Sequence, residues 1–214
     1  MEITWLGHSC FRLKSREAIV VTDPPSKSTG YNIGKPTAGI VTISHDHAGH
    51  NNVKAVAGSP RIVEGPGEFE ISGVLIMGIR TYHDAEKGQQ LGKNTAYVFE
   101  MEGMLVCHLG DIGHVPTSDQ VEELGGVDIL LAPVGGGETI AASAAAETVS
   151  LLEPKLVIPM HYQTPAAKAK LDPIDRFLKE IGAPKALDER QPKLAVTKST
   201  LPHETKVLVL DYKQ

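Results

Sequence analysis

Short apolar runs broken by turn residues dominate the first half of the chain. Residues 2–7, 10–14 and 18–22 are β-rich and separated by turn residues, which predicts antiparallel strands. Residues 26–37 are polar and carry Gly30, Gly34 and Pro36, the composition of a loop. The apolar run 38–43 then leads into Ser44, and further strands are predicted at 61–63, 69–71 and 74–82. Residues 84–93, with Gly88 and Gly92, predict a flexible loop able to border a pocket. Runs 95–100 and 105–109 flank Glu102-Gly103 and predict a hairpin.

The second half changes character. Residues 118–124 predict a short helix capped by Thr117 or Ser118, and the alanine-rich stretch 140–152 a longer one introduced by Gly135-Gly136-Gly137. Strands are expected at 127–132, 156–159 and near 194–196 and 207–210, with a third helix near 173–181. No repeat, low-complexity tract or linker interrupts the pattern, so the expectation is one α/β domain over residues 1–214.

The ends of the apolar runs carry the chemistry. Asp23, His45, His83, the pair His108 and Asp111, and His161 each follow such a run. In sheets covered on both faces, ligand sites form where strands end and the backbone leaves the core. One shared site between two packed sheets is the expectation.

The densest of these points is Ser44-His45-Asp46-His47-Ala48-Gly49-His50. Each imidazole has two nitrogens that need partners, and neighbouring rings repel when protonated, so packing alone does not explain three of them. A divalent cation does. Gly49 and the β-branched lead-in argue against a helix, so the reading is a strand that stops near Ser44 and opens into a loop. His45 and His47, two residues apart, then chelate one ion, and His50 reaches a neighbouring one.

Composition narrows the classes further. At 214 residues the chain can bury a full core unaided. Lys and Arg number 21 against 26 Asp and Glu, and the net charge of −5 opposes a phosphate-tracking surface, so nucleic acid is not an expected partner. Cys10 and Cys107 are far apart in sequence, which excludes a disulfide framework or a CxxC zinc site and reads as two small buried hydrophobes. Neither a signal-peptide pattern nor a membrane-length apolar run is present, so a cytoplasmic protein is expected.

The histidine stretch resembles the His-x-His-x-Asp-His motif of the metallo-β-lactamase superfamily, with Gly49 where the motif has aspartate. Trp5-Leu6-Gly7-His8-Ser9, Thr22-Asp23-Pro24, Gly65-Pro66-Gly67-Glu68, His108-Leu109-Gly110-Asp111 and Pro159-Met160-His161-Tyr162 extend the likeness over nearly the whole chain. Together they resemble its small stand-alone bacterial branch of ascorbate-phosphate lactonase-like proteins. The resemblance implies an αβ/βα four-layer sandwich. It also implies a first metal site of His45, His47 and His83, and a second of His50 and His161, with Asp111 bridging. Zinc or manganese is the expected cofactor, with iron open, as one or two ions. By the same correspondence Asp23 orients a ligand histidine and Asp84 stands behind His83, while strand alternation turns His108 away from Asp111, into the core or behind the ligands. Asp111 and His8 would be the catalytic groups, His8 binding substrate or moving a proton. Gly49 should weaken the second site. Metal-dependent hydrolysis of an ester, lactone or phosphodiester bond in a small molecule is the leading expectation. A catalytically degenerate binding protein and an iron-dependent oxidoreductase are the alternatives, and self-association stays open.

Overall fold

The computed structural model describes residues 1–212. Thirteen strands and three α-helices follow one another: β1 (Glu2–Gly7), β2 (Cys10–Lys14), β3 (Ile19–Thr22), β4 (Ile40–Ile43), β5 (Arg61–Glu64), β6 (Gly67–Ile71), β7 (Val74–Tyr82), β8 (Lys93–Met101), β9 (Met104–His108), α1 (Ser118–Leu124), β10 (Ile129–Pro133), α2 (Ala142–Leu152), β11 (Leu156–Met160), α3 (Ile174–Glu180), β12 (Leu194–Ala195) and β13 (Lys206–Val207). They form two mixed sheets, in the orders β12-β1-β2-β3-β4-β5 and β13-β11-β10-β9-β8-β7-β6. The chain first passes from one sheet to the other through Gly65-Pro66 and returns to the first only for β12.

Strand alternation sorts side chains between two apolar layers. Ile3, Trp5, Val20 and Ile40 of the first sheet join Tyr97, Phe99, Val106 and Leu130 of the second in the main core. Their neighbours Leu6, Val21, Val41 and Ile43 point the other way, into a smaller cluster closed by Ile33 and Val56. Cys10 and Cys107 are both buried and unpaired. α1 packs against β7, α2 against β10, and α3 against α2, so the α-helices lie on the second sheet. The outer face of the first sheet is covered differently. Its layer consists of loop and two short 3-10 turns, Lys27–Thr29 and Val53–Ala55, because the Gly- and Pro-rich stretch 30–36 cannot sustain an α-helix.

Local chemistry sets the boundaries. The β8–β9 hairpin closes on Met101 opposite Met104, and Glu102 and Gly103 both have positive φ, at 50° and 71°, as a two-residue turn of this hand requires. The cap of α1 is Thr117 rather than Ser118. The Thr117 hydroxyl accepts the Gln120 N–H while the Gln120 side chain accepts the Thr117 N–H. Among the described residues no helix is long and apolar enough to cross a membrane.

Strand direction then places the site. β1 and β3 are both antiparallel to β2, and β4 runs parallel to β3, so β1, β3 and β4 end at one edge. β7 and β9 are both antiparallel to β8, and β10 and β11 continue parallel to β9, so these also end together. His8, Asp23, His45, His83, Asp111 and His161 each lie one to three residues beyond one of these ends. A hydrogen bond between the sheets fixes the histidine loop: the buried Tyr97 hydroxyl donates to the carbonyl of Ile43 at 2.9 Å, the last residue of β4. Tyr97→Phe leaves that carbonyl without its donor and is expected to lower stability by about 1–2 kcal/mol in urea unfolding, with no change in the unfolding slope.

Candidate metal centre

Asp23 sits at the back of the cleft, fully buried. Its carboxylate accepts the Ser44 N–H at 2.8 Å, the Ser44 hydroxyl at 2.5 Å and the His50 Nδ1–H at 2.8 Å. Burial opposes its charge, but protonated His50 beside it outweighs that and holds its pKa below the ordinary range. An ionised carboxylate only accepts. The single Ser44 proton therefore goes to Asp23, and the Ser44 oxygen accepts from Nδ1–H of His45 at 2.9 Å. His45 is thereby fixed with a lone pair on Nε2. That atom is buried and has no hydrogen-bond partner.

His83 is oriented by the same logic. Its Nδ1 donates to the carbonyl of Glu138 at 3.1 Å, leaving Nε2 bare. His45, His47 and His83 offer nitrogens that all lie within 4.8 Å of one another, with ring centroids 4.5 to 5.1 Å apart. His47 is the exposed member. Burial and the neighbouring His50 depress the His45 pKa to about 3, so its ring is neutral and can donate its lone pair at physiological pH. An orphaned buried Nε2 among three converging imidazoles fits a borderline-soft divalent cation.

Asp111 joins this trio to a second group. Its Oδ1 accepts from the Ser9 hydroxyl at 3.1 Å. Oδ2 faces His50 Nε2 at 3.0 Å, His161 Nε2 at 3.4 Å and His83 Nε2 at 3.9 Å. Burial works against the Asp111 charge, but His161 and His50 override it and hold its pKa well below normal. Burial also disfavours charge on His50, yet Asp111 and Asp23 raise its pKa to about 10, so without a cation the imidazolium bridges the two carboxylates. His8, His50 and His161 form a further cluster within 4.8 Å. The cleft above has a volume of about 380 Å³ and is bordered by His8, Tyr31, Glu138, Lys170 and Leu171.

Two residues expected behind the ligands behave differently from each other. His108 is buried, donates Nε2–H to the Ser9 carbonyl at 2.7 Å and accepts the Gly110 N–H at Nδ1, so it braces the two segments that carry Ser9 and Asp111. Asp84, expected to orient His83, does not. Its carboxylate accepts the backbone N–H groups of Glu86, Gly88, Gln90 and Leu91 at 2.7 to 3.0 Å, and four aligned donors in its own loop outcompete one imidazole. The Glu138 carbonyl takes the place expected of it.

Several supporting residues escaped the sequence reading. Ser9 and Ser44 follow or precede a histidine and look like ordinary turn residues until their partners are known. Asn94 accepts the Asp111 N–H at 3.0 Å and donates to the Leu109 carbonyl at 2.9 Å, fixing the turn that aims the carboxylate. Its signal was an amide at the head of an apolar strand. Gly113 had none: a Cβ there would lie 2.4 Å from the His83 carbonyl carbon, so only glycine lets this turn pass.

Two mixed sheets whose adjoining ends gather histidines around a buried carboxylate define a metallo-β-lactamase fold, the scaffold of a superfamily of metal-dependent hydrolases. A family model described as the beta-lactamase superfamily domain matches residues 2–161, and the chain belongs to that superfamily. A UPF0173 metal-dependent hydrolase of Thermococcus onnurineus is 29% identical over 192 residues, spanning 77% of this chain and 85% of its own. A UPF0173 protein of Pyrococcus furiosus is 31% identical over 198 residues, spanning 85% and 90%. A crystal structure from Thermotoga maritima, assigned as a Zn-dependent hydrolase of the metallo-beta-lactamase superfamily, is 42% identical, covers 99% of both chains and superposes with a TM-score of 0.80.

Asp23→Asn keeps the side-chain size but removes the charge that faces His50 and sets an amide NH2 against one of the donors, the Ser44 N–H or the pair Ser44 hydroxyl and His50. Its zinc affinity, read by competition with a chromophoric chelator, is expected to fall about 10–100-fold. The loop at 84–92 gives a second test. The backbone N–H of Leu91, helped by those of Gly88, Gln90 and Glu86, lowers the Asp84 pKa from 3.8 to about 2. The carboxylate's support of the loop is therefore complete above pH 4 and lost as pH falls through 2. At pH 7, Asp84→Ala should speed hydrogen exchange at Glu86, Gly88, Gln90 and Leu91 while the sheets stay protected.

Proposed function

We propose that this chain hydrolyses an ester, lactone or phosphodiester bond of a small molecule with one or two divalent cations held at this centre, zinc or manganese by preference. The observation that carries the reading is the buried, unpartnered Nε2 of His45, presented with His47 and His83 beside Asp111. His45, His47 and His83 would hold the first cation, and His50 and His161 the second, with Asp111 between them. When bound, such a cation supplies Lewis acidity toward a carbonyl or phosphoryl oxygen and brings the pKa of water toward neutrality.

The chain's own residues do the rest. Ser9 pins one oxygen of Asp111, so the other stays turned to the histidines and can accept a hydrogen bond from a water in the cleft. Burial, then His161 and His50, push the His8 pKa well below its ordinary value. His8 is therefore neutral at pH 7 and serves to bind, while solvent protonates the leaving group. Lys170 at the rim suits an anionic substrate of a size matching the cleft. A net charge of −5 keeps nucleic acid out of the reading.

Gly49 supports one other reading, a relative that binds metal or ligand without turnover. The same experiment separates the two. Protein stripped with a chelator and reloaded with zinc or manganese is assayed on a model ester, a lactone and an aryl phosphodiester. Turnover should appear only after loading, and His45→Ala and His161→Asn should reduce it to background with the fold intact by circular dichroism. Full activity in a stripped protein, or in either variant, would refute the hydrolase reading; loading without turnover on any substrate favours the binding protein.

A further inference from the structure

We infer that His8 is itself a ligand of the second cation, standing in the space that a side chain at position 49 would otherwise fill, so that three histidines, His8, His50 and His161, complete the site with Asp111. The inference rests on the proposed metal dependence and adds a residue to it.

Position 49 shows this most directly. A Cβ built on Gly49 would lie 2.6 Å from His8 Nε2 and 3.1 Å from its Cδ2. The ring nitrogen of His8 therefore occupies the volume into which any residue 49 side chain must project. A carboxylate at 49 and His8 in its present place exclude each other.

The neighbourhood of His8 is that of a ligand. Its ring centroid lies 4.4 Å from that of His161 and 5.0 Å from that of His50, and the three offer nitrogens within 4.8 Å. His161 turns Nε2 toward Asp111 at 3.4 Å, and the half-buried His8 ring makes no hydrogen bond among the described residues. A shared cation would give the facing nitrogens of these rings a common partner. The backbone also fixes His8 over Gly49. His8 has a left-handed φ of 54°, held by Trp5 Nε1–H donating to its carbonyl at 2.9 Å and by the His161 N–H donating to the same oxygen at 3.3 Å. Few residues other than glycine accept such a φ, and a locally strained backbone that aims an imidazole at two others marks a functional position.

An imidazole in place of a carboxylate changes the centre in two ways. The nitrogen-rich set favours zinc, and disfavours manganese, which prefers oxygen donors. A neutral ligand also leaves the centre one unit more positive, which strengthens its hold on an anionic substrate. The ordinary alternative is that His8 only stacks on Tyr31, 6.2 Å away and 23° from parallel.

The test counts metal. Wild type, His8→Asn, Gly49→Asp and the double variant are loaded with zinc, desalted and measured by mass spectrometry, with the weaker site titrated against a chromophoric chelator. Asparagine is chosen because it tolerates the left-handed backbone. Wild type should hold two zinc ions. His8→Asn should keep the first and lose more than about 100-fold affinity at the second, beyond the loss of an outer-shell partner. Gly49→Asp alone should bind the second ion poorly because the ring is in the way. The double variant should regain two ions and shift its preference toward manganese. Histidine ring nitrogen chemical shifts in intact wild type give an independent reading: the second equivalent of zinc should move the His8 signal. Two ions held equally well by His8→Asn, or an unmoved His8 signal, would overturn the inference and leave the hydrolase reading standing. A single ion in wild type would do the same. No ion in any form would remove the proposed function itself.

Discussion

A single buried carboxylate organises the candidate metal centre. Asp23 lies in the core end of the cleft with its negative charge balanced by His50 and spent on three hydrogen bonds. Through Ser44 it decides which nitrogen of His45 carries the proton, and by direct contact it fixes the ring of His50. Two rings from one loop are set by one acceptor. Leaving a charge unpaired at that depth would cost several kcal/mol, so the loop has one satisfactory conformation, and that conformation bares the nitrogens to the cleft.

The sheets deliver the remaining parts. Parallel runs ending together on both sheets bring residues as distant as His8 and His161 into contact, while Tyr97 ties the end of β4 to the opposite sheet. Nothing in the histidine loop itself is regular secondary structure. Its rigidity comes from what surrounds it: Asp23 below, Tyr97 behind Ile43, and the Asn94 and Ser9 contacts that aim Asp111 from the other side. Opposing charges are shared across the middle, with Asp111 facing three imidazoles and Asp23 facing one.

Much of this is legible in the amino-acid sequence alone. The period-two runs located nearly every strand, and the hydrogen-bonding demands of His45, His47 and His50 pointed to a cation. Reading strand ends as one site worked because apolar runs and polar termini are set by burial, which sequence records well. Contacts made by small polar side chains left weaker traces. Ser44 is eloquent only once Asp23 is known to touch it, and Asp84 was misassigned because its loop closes on its carboxylate through backbone donors that no side-chain pattern reveals. The outer layer of the first sheet was also less helical than a four-layer sandwich suggests, since glycine and proline divert that segment into loop and 3-10 turns.

His8, Asp23 and His161 share a left-handed backbone just past the ends of their strands. Beside glycine, that conformation is most tolerant of histidine, asparagine and aspartate. The codons of these three residues differ only in their first base. Mutation can therefore exchange an imidazole, an amide and a carboxylate at these positions one nucleotide at a time without disturbing the chain path, and a lineage on this scaffold can retune which cation it holds, and how strongly, while its fold stands still.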